Sequence, residues 1–229
     1  MPAQRIGQAL TSDGGELTLS LDGERYAMRV DGQELMNSAS HRSEEMLAVY
    51  GCAGLARTPG VRVLVGGLGM GFTARAALDA LAPDAEVVVV ESVPAVVGWN
   101  RGVLGHLAGE PLEDPRLSII EADVVDVIAR AECRYDAILL DVDNGPSAFT
   151  TFTNRRLYSA DGLQSARRAL RQGAALAVWS TFRDAMFTVR LQAAGFDTTV
   201  KRVLAGDGSR RRHVLWLARR RLPPGGIRR

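Results

Sequence analysis

Apolar and polar positions change their period near residue 60 of this chain. Before it, ELTLSL (16–21) and ERYAMRV (24–30) alternate with period two and are joined by Asp22-Gly23, a pair that tolerates the positive φ of a tight hairpin turn. Asp31-Gly32 turns the chain again into QELM. Ser40 or Ser43 stands where it can cap a helix, SEEMLAVYGCAGLA, which stops near Thr58-Pro59-Gly60. The pattern predicts a small β-hairpin appendage over 1–39 that leads into a helix.

From Val61 onward, short apolar runs alternate with helical periods. The strands are VRVLV, AEVVVVE (85–91), RLSIIEA, YDAILLD (135–141) and AALAVWS (174–180). The helices are TARAALDALA, PAVVGWNRGVLGHL with an early proline, DVVDVIARA, the long region NRRLYSADGLQSARRALRQG, and RDAMFTVRLQAAG closed by Gly195. FDTTVKRVL and RHVLWLA follow with no helix between them and are expected to pair antiparallel. Near-continuous apolar strands between helices mean a mostly parallel sheet covered on both faces. The fold class expected is therefore α/β. It is a Rossmann-like, doubly wound, seven-stranded sheet over 40–220 with an antiparallel C-terminal hairpin, followed by a disordered basic tail over 221–229. In such sheets ligands lie at the carboxyl ends of the strands, around the point where strand order reverses.

Composition adds constraints. With 46% apolar and 24% charged residues among 229, the chain has the balance of a soluble globular protein and can bury a sizeable core. No run approaches the ~18 apolar residues of a membrane span, and MPAQRIGQALTSDGG lacks the apolar centre of a secretion signal, so a cytoplasmic protein is expected. Cys52 and Cys133 belong to no CxxC pair and are expected as reduced, buried thiols. The net charge of +2 hides an asymmetry: from Lys201 onward ten basic residues face one acid, Asp207, giving +9 and leaving −7 for residues 1–200. Arg210-Arg211-Arg212 and Arg219-Arg220-Arg221 carry charge enough to grip phosphates. However, 27 of the 28 basic residues are arginine, so arginine is the default cation here, and no aromatic ladder is interleaved to stack bases. Nucleic acid is not expected as a partner.

The strand ends carry the candidate chemistry. VRVLVGGLGMGF places four glycines within six residues straight after the first parallel strand, where a helix begins and its free N–H groups face a ligand. A dinucleotide loop GxGxxG would need glycine at 72, which is Phe; the pattern present is Gly67-x-Gly69-x-Gly71. Glu91 ends the second strand, where an acid can accept both ribose hydroxyls. Asp123 ends the third and can cap the next helix with one oxygen while the other accepts an exocyclic amine. The fourth ends in Asp141-Val142-Asp143-Asn144-Gly145-Pro146. Clustered acids there need a cation, a metal or a proton to share. A solvated turn, a divalent-metal site and an acid/base site for an amine all meet that need. The next strand end offers a metal no further carboxylate, which ranks that reading last.

With these four strand ends in view, the chain resembles the polyamine aminopropyltransferases, the spermidine synthases, within the class I S-adenosylmethionine-dependent methyltransferase superfamily. The similarity runs over about 61–218. VLVGGLGMGFTARAAL looks like that family's glycine motif, with Thr73, Arg75 and Leu78 included; VVVVE resembles its ribose-binding strand; LEDPRLSIIEAD looks like its Asp-Pro-Arg element and adenine-side acid; YDAILLD resembles the strand that delivers its catalytic aspartate.

The resemblance implies a transferase of polyamine biosynthesis that moves an aminopropyl group from decarboxylated S-adenosylmethionine, or a methyl group from S-adenosylmethionine, to an amine-type small molecule. A carboxylate at the fourth strand end would bind the ammonium and take its proton as the new bond forms. Asp141 is the expected base and Asp143 its auxiliary. Gly67, Leu68, Gly69, Gly71, Glu91, Ser92, Asp123 and Val124 are expected around the nucleoside, and Met70, Asn144 and Tyr158 toward the acceptor; no metal is implied. The resembled family and the edge strands are compatible with a homodimer. Departures from the family pattern are equally specific. Met70 stands in place of an acid in the glycine loop and Phe72 in place of a glycine. Asn144-Gly145 replaces the second aspartate of an Asp-x-x-Asp-Pro loop, Ser43 stands for a gate tyrosine, and Leu35 or Met36 for a gate glutamine. Two other readings stay open: a small-molecule methyltransferase whose acceptor pocket is shaped by Met70 and Phe72, and a non-catalytic nucleoside-binding protein.

Overall fold

The computed structural model describes residues 3–142, 145–146 and 152–222. Four strands, β1 (Gln4–Leu10), β2 (Glu16–Asp22), β3 (Arg25–Val30) and β4 (Gln33–Asn37), pair antiparallel in chain order. The Asp-Gly turns fall where expected, with Gly23, Asp31 and Gly32 at positive φ. β1 has no counterpart in the sequence reading, because QRIGQAL does not alternate and the strand is a mostly exposed edge. Its register slips between Arg5 and Gly7. Gly7 lies so close to the Trp99 indole that a Cβ would stand 2.7 Å from Cε2.

Seven further strands form the second sheet: β5 (Arg62–Gly66), β6 (Glu86–Glu91), β7 (Leu117–Glu121), β8 (Tyr135–Leu140), β9 (Leu170–Ser180), β10 (Phe196–Leu204) and β11 (Arg212–Arg220). Their order is β10-β11-β9-β8-β5-β6-β7, with β5 to β9 parallel and β10 and β11 antiparallel, as the periodicity predicts. The helices are α1 (Arg42–Gly51), α2 (Phe72–Ala80), α3 (Pro94–Asn100), α4 (Val124–Ala129), α5 (Phe152–Leu157), α6 (Ala160–Ala169) and α7 (Ala185–Ala193). Alternate strand residues serve opposite faces, which is why the strands read as unbroken apolar runs. Val63, Val65, Leu139 and Trp179 pack with Leu47, Leu78 and Val97 of α1 to α3, and with Leu17, Leu19 and Met28 of the first sheet. Leu64, Ile138, Leu140 and Trp216 pack with Ile128, Leu163 and Phe187 of α4, α6 and α7. The four-stranded sheet thus shares the core of one face.

Local differences have local causes. The long helical region 154–173 divides into α5 and α6 because Ser159 caps α6, accepting from Gly162 N–H at 3.1 Å, and its last residues join β9. Neither Ser40 nor Ser43 caps α1: His41 holds the cap position without a side-chain bond, and Ser43 lies buried inside the helix. PAVVGWNRGVLGHL is α-helical only over α3, then forms a 3-10 turn at Gly105–Ala108, as its glycines weaken the helix. Cys52 is buried as expected, but Cys133 is exposed, on a turn at φ 42° that precedes β8. From residue 223 onward the expected tail lies outside the described residues. Among the described residues no helix is long and apolar enough to cross a membrane.

Candidate functional site

The strand order reverses between β5 and β8. There the two chain segments nearly touch, since Asp141 N–H donates to Gly66 O at 2.9 Å and a Cβ on Gly67 would stand 2.5 Å from Asp141 O. Gly67, Gly69 and Gly71 all have positive φ, a conformation that side chains with a Cβ rarely adopt. A cleft opens above this junction. Gly67 and Gly69 form its floor, and Glu91, Ser92, Asp123, Val124, Asp141 and Val142 its rim. Its roof comes from the four-stranded sheet through Thr11, Leu17, Met28, Val30, Leu35 and Met36, with Trp179 and Glu44 beside them.

Each acid in the cleft is held differently. Glu91 accepts Leu68 N–H at 2.9 Å on Oε2 and Val93 N–H at 2.8 Å on Oε1, tying the glycine loop to the start of α3. Burial raises its carboxyl above the usual range, and these backbone N–H groups pull it back. Asp123 caps α4 as expected, accepting Val125 N–H at 2.8 Å on Oδ1 and leaving Oδ2 free of that bond. Asp141 Oδ2 accepts from the Thr73 hydroxyl at 2.5 Å. Burial nevertheless pushes its carboxyl up to about 6, with the Thr73 bond opposing. Glu44, on the first turn of α1, is 5% exposed. Its carboxyl lies well above the ordinary range, through burial first and then the charge of Asp141.

The comparisons with known proteins bear on the fold of this arrangement. No protein-family model matches the chain, and no curated protein does. Solved structures do. A spermidine synthase in complex with the transition-state analogue AdoDATO superposes with a TM-score of 0.71 at 17% identity, covering 97% of this chain and 74% of that one. Spermidine synthase from Thermotoga maritima gives 0.72 at 17% identity, with 97% and 75% covered. A probable spermidine synthase from Corynebacterium glutamicum gives 0.63 at 15% identity, with 93% and 79% covered. The fold is that of the spermidine synthases.

Within this spermidine synthase fold the expected site residues separate into two groups. Gly67, Gly69, Glu91, Ser92, Asp123, Val124 and Asp141 converge on the cleft. Four others do not line it. Leu68 and Met70 are buried in the core beneath the loop, Gly71 faces Pro111, Asn100 and Ala108, and Tyr158 packs edge-on against Phe187 in the opposite core. Met70 is fully buried, so an apolar residue is the one the packing there accepts. Phe72 is buried and stacks on His41 at 4.0 Å, and neither it nor Met70 lines this cleft. Asp143 and Asn144 lie outside the described residues. The Asp-Pro-Arg element is structural: Arg116 grips Asp114 at 3.0 and 2.7 Å and donates to Leu78 O at 3.0 Å at the end of α2. That fork holds the Asp114 carboxyl down at about 2.

Asn100 escaped the sequence reading; Met36 entered it only as a departure from the resembled family's gate, and Ser43 as that and as a candidate helix cap. Asn100 Nδ2 donates to Gly69 O at 2.8 Å and to Val96 O at 2.9 Å, so the end of α3 fixes the glycine loop. Met36 reaches over the loop, with Sδ 2.9 Å from where a Gly69 Cβ would stand. Ser43 lies 2.8 Å from His213 Nδ1 and accepts Trp179 Nε1–H at 3.0 Å, which sets the indole that walls the cleft. Among the described residues no three His, Cys, Asp or Glu side chains converge as metal ligands.

Proposed function

We propose that the protein is an aminopropyltransferase of the spermidine synthase type, taking decarboxylated S-adenosylmethionine as donor and an alkyl amine as acceptor. One observation carries the reading. The described lining of the cleft includes four carboxyl groups, Glu44, Glu91, Asp123 and Asp141, and no lysine, arginine or histidine. Such a cleft favours a cationic ligand and offers a donor's α-carboxylate no cationic side chain. This favours the decarboxylated donor over S-adenosylmethionine itself, and so aminopropyl over methyl transfer.

The residues fit such a donor. Gly67 and Gly69 let the backbone approach a nucleoside closely, and Asp123, which spends Oδ1 on the α4 cap, keeps Oδ2 for an exocyclic amine. Glu91 spends one lone-pair site of each oxygen on the backbone and keeps others for ribose hydroxyls. The sulfonium donor supplies the electrophilic carbon when bound. Asp141 holds the acceptor ammonium and takes up its proton, a role suited to a carboxyl near 6. The apolar roof from Leu17, Met28 and Met36 excludes water from the reacting centre.

The test is calorimetry and turnover. Decarboxylated S-adenosylmethionine is expected to bind at least ~10-fold more tightly than S-adenosylmethionine, a difference of about 1.4 kcal/mol. An aminopropylated product is expected from 1,4-diaminobutane. Equal affinity for the two nucleosides together with methyl transfer to an acceptor would instead establish the methyltransferase reading. Nucleoside binding without turnover of any amine would leave a binding protein.

A further inference from the structure

Glu44 is a buried acid with one carboxylate oxygen left unsatisfied. It sits on α1 and lines the cleft together with Asp141, and its Oε2 is buried without a hydrogen-bond partner. A buried carboxyl in that state costs roughly 1–3 kcal/mol, and more if charged. An apolar residue would remove the cost, so the position is expensive unless a ligand satisfies it. Thr73 ties α1 to the end of β8, its hydroxyl lying 2.5 Å from Asp141 Oδ2 and 3.3 Å from the backbone carbonyl oxygen of Glu44. The glycine loop supplies no acid of its own to the cleft, as Met70 is packed into the core.

We propose that Glu44 is the specificity-determining residue of this cleft: its free carboxylate oxygen accepts a hydrogen bond from a ligand's primary ammonium, beside the one that Asp141 engages. The inference rests on the transferase reading above and adds a second anchor to it. The charges that act on Glu44 are those of Asp141, at the end of β8, and Glu45, on α1 itself, and Glu91 and Asp123 line the same cleft. Burial and these charges favour the protonated form of Glu44, and an arriving ammonium displaces that proton to solvent. Two amines could be the one held, the propylamine end of the donor or an amine of the acceptor.

The experiment compares wild type with Glu44→Gln by calorimetry at pH 7.5 in two buffers of different ionisation enthalpy. The probes are methylthioadenosine, decarboxylated S-adenosylmethionine, and 1,4-diaminobutane added to the methylthioadenosine complex. Wild type is expected to release about one proton on binding the amine that Glu44 holds, and Glu44→Gln none. Affinity for that amine should fall at least ~10-fold in the variant, while methylthioadenosine affinity stays within about 2-fold. A loss confined to decarboxylated S-adenosylmethionine assigns the donor amine, and a loss confined to the diamine assigns the acceptor. Unchanged affinity for both, or no proton release from wild type on binding either amine, overturns the role of Glu44 and leaves the transferase reading intact. Failure of wild type to bind any nucleoside overturns both. Gln matches Glu in shape, and a thermal melt confirms that the variant folds; the proton count on wild type needs no variant at all.

Discussion

The Thr73 hydroxyl lies 2.5 Å from Asp141 Oδ2, so the first turn of α2 reaches across the glycine loop to the end of β8. The bond favours the charged form of a carboxylate that burial pushes the other way. It decides how much of Asp141 is ionised at neutral pH. Thr73→Val keeps the shape and removes the donor, and the Asp141 carboxyl should then titrate higher still. The acid limb of the rate profile is expected to move to higher pH, with kcat at pH 7 down about 10-fold, on a bond to a charged group of about 1.5–3 kcal/mol. A pH-rate profile of the variant checks this; an unmoved acid limb removes Thr73 from the tuning of the Asp141 carboxyl.

The free site should weaken the fold. Asp141 titrates near 3.8 when unperturbed and near 6 in the folded chain. Across that window the folded form keeps a proton the unfolded form has lost, so stability falls as pH rises from 3.8 to 6 and levels above it. Asp141→Asn removes the penalty. The variant should be more stable than wild type at pH 8 by on the order of 2 kcal/mol, with the advantage gone below about pH 4. Paired melts at pH 4 and 8 read the difference.

His213 works in the opposite direction. Burial first, and the Arg211 charge second, lower its imidazole from 6.5 to about 4. The neutral ring is full-strength above pH 6.5, and its contribution is lost as pH falls to 4, because the unfolded chain takes the proton first. His213→Phe retains the ring edge against Trp179 and should flatten the acid side of the Tm profile. A profile as steep as that of wild type would point to other groups.

Gly7 is the contact through which β1 meets α3. Gly7→Ala forces a methyl group to within 2.7 Å of the Trp99 ring, and overpacking of this kind costs about 1–3 kcal/mol. Hydrogen exchange in β1 and β2 should quicken, and nucleoside affinity should fall because Thr11 and Leu17 belong to the roof. Unchanged exchange would mean that the indole simply swings aside.

Arg116→Lys separates scaffold from site. Lysine cannot reproduce the two-pronged grip on Asp114 together with the bond to Leu78 O. A drop in stability of about 1–3 kcal/mol is expected, with nucleoside affinity unchanged. Altered affinity at unchanged stability would return the Asp-Pro-Arg element to the site.

The sheet was legible because each of its strands is apolar on both faces: Val63 and Leu64 serve different cores, and so do Leu139 and Leu140. Glu91, Asp123 and Asp141 could be found because strand ends in such a sheet converge, whatever the side chain. Motif alignment misled where it assigned a direction to a side chain. Met70 and Phe72 occupy ligand-facing positions by spacing, yet one turns into the core and the other onto His41. Glu44 was hidden for a different reason. Its charge looks like a helix's ordinary solvated face until α1 is laid across β8 and β9, which no local pattern encodes. β1 was missed because an edge strand held by Gly7 has no alternation to show.

The roof and the floor of the cleft belong to different sheets, residues 11–36 above and the β5–β8 junction below. A nucleoside bound between them would touch both and so act as a staple, joining two hydrogen-bonded systems that pack together through side chains such as Leu17, Met28 and Val65. Its binding energy then adds to the cohesion of the fold through mass action. Removing the first forty residues would take away the roof of the cleft together with the core contacts of Leu17, Leu19 and Met28.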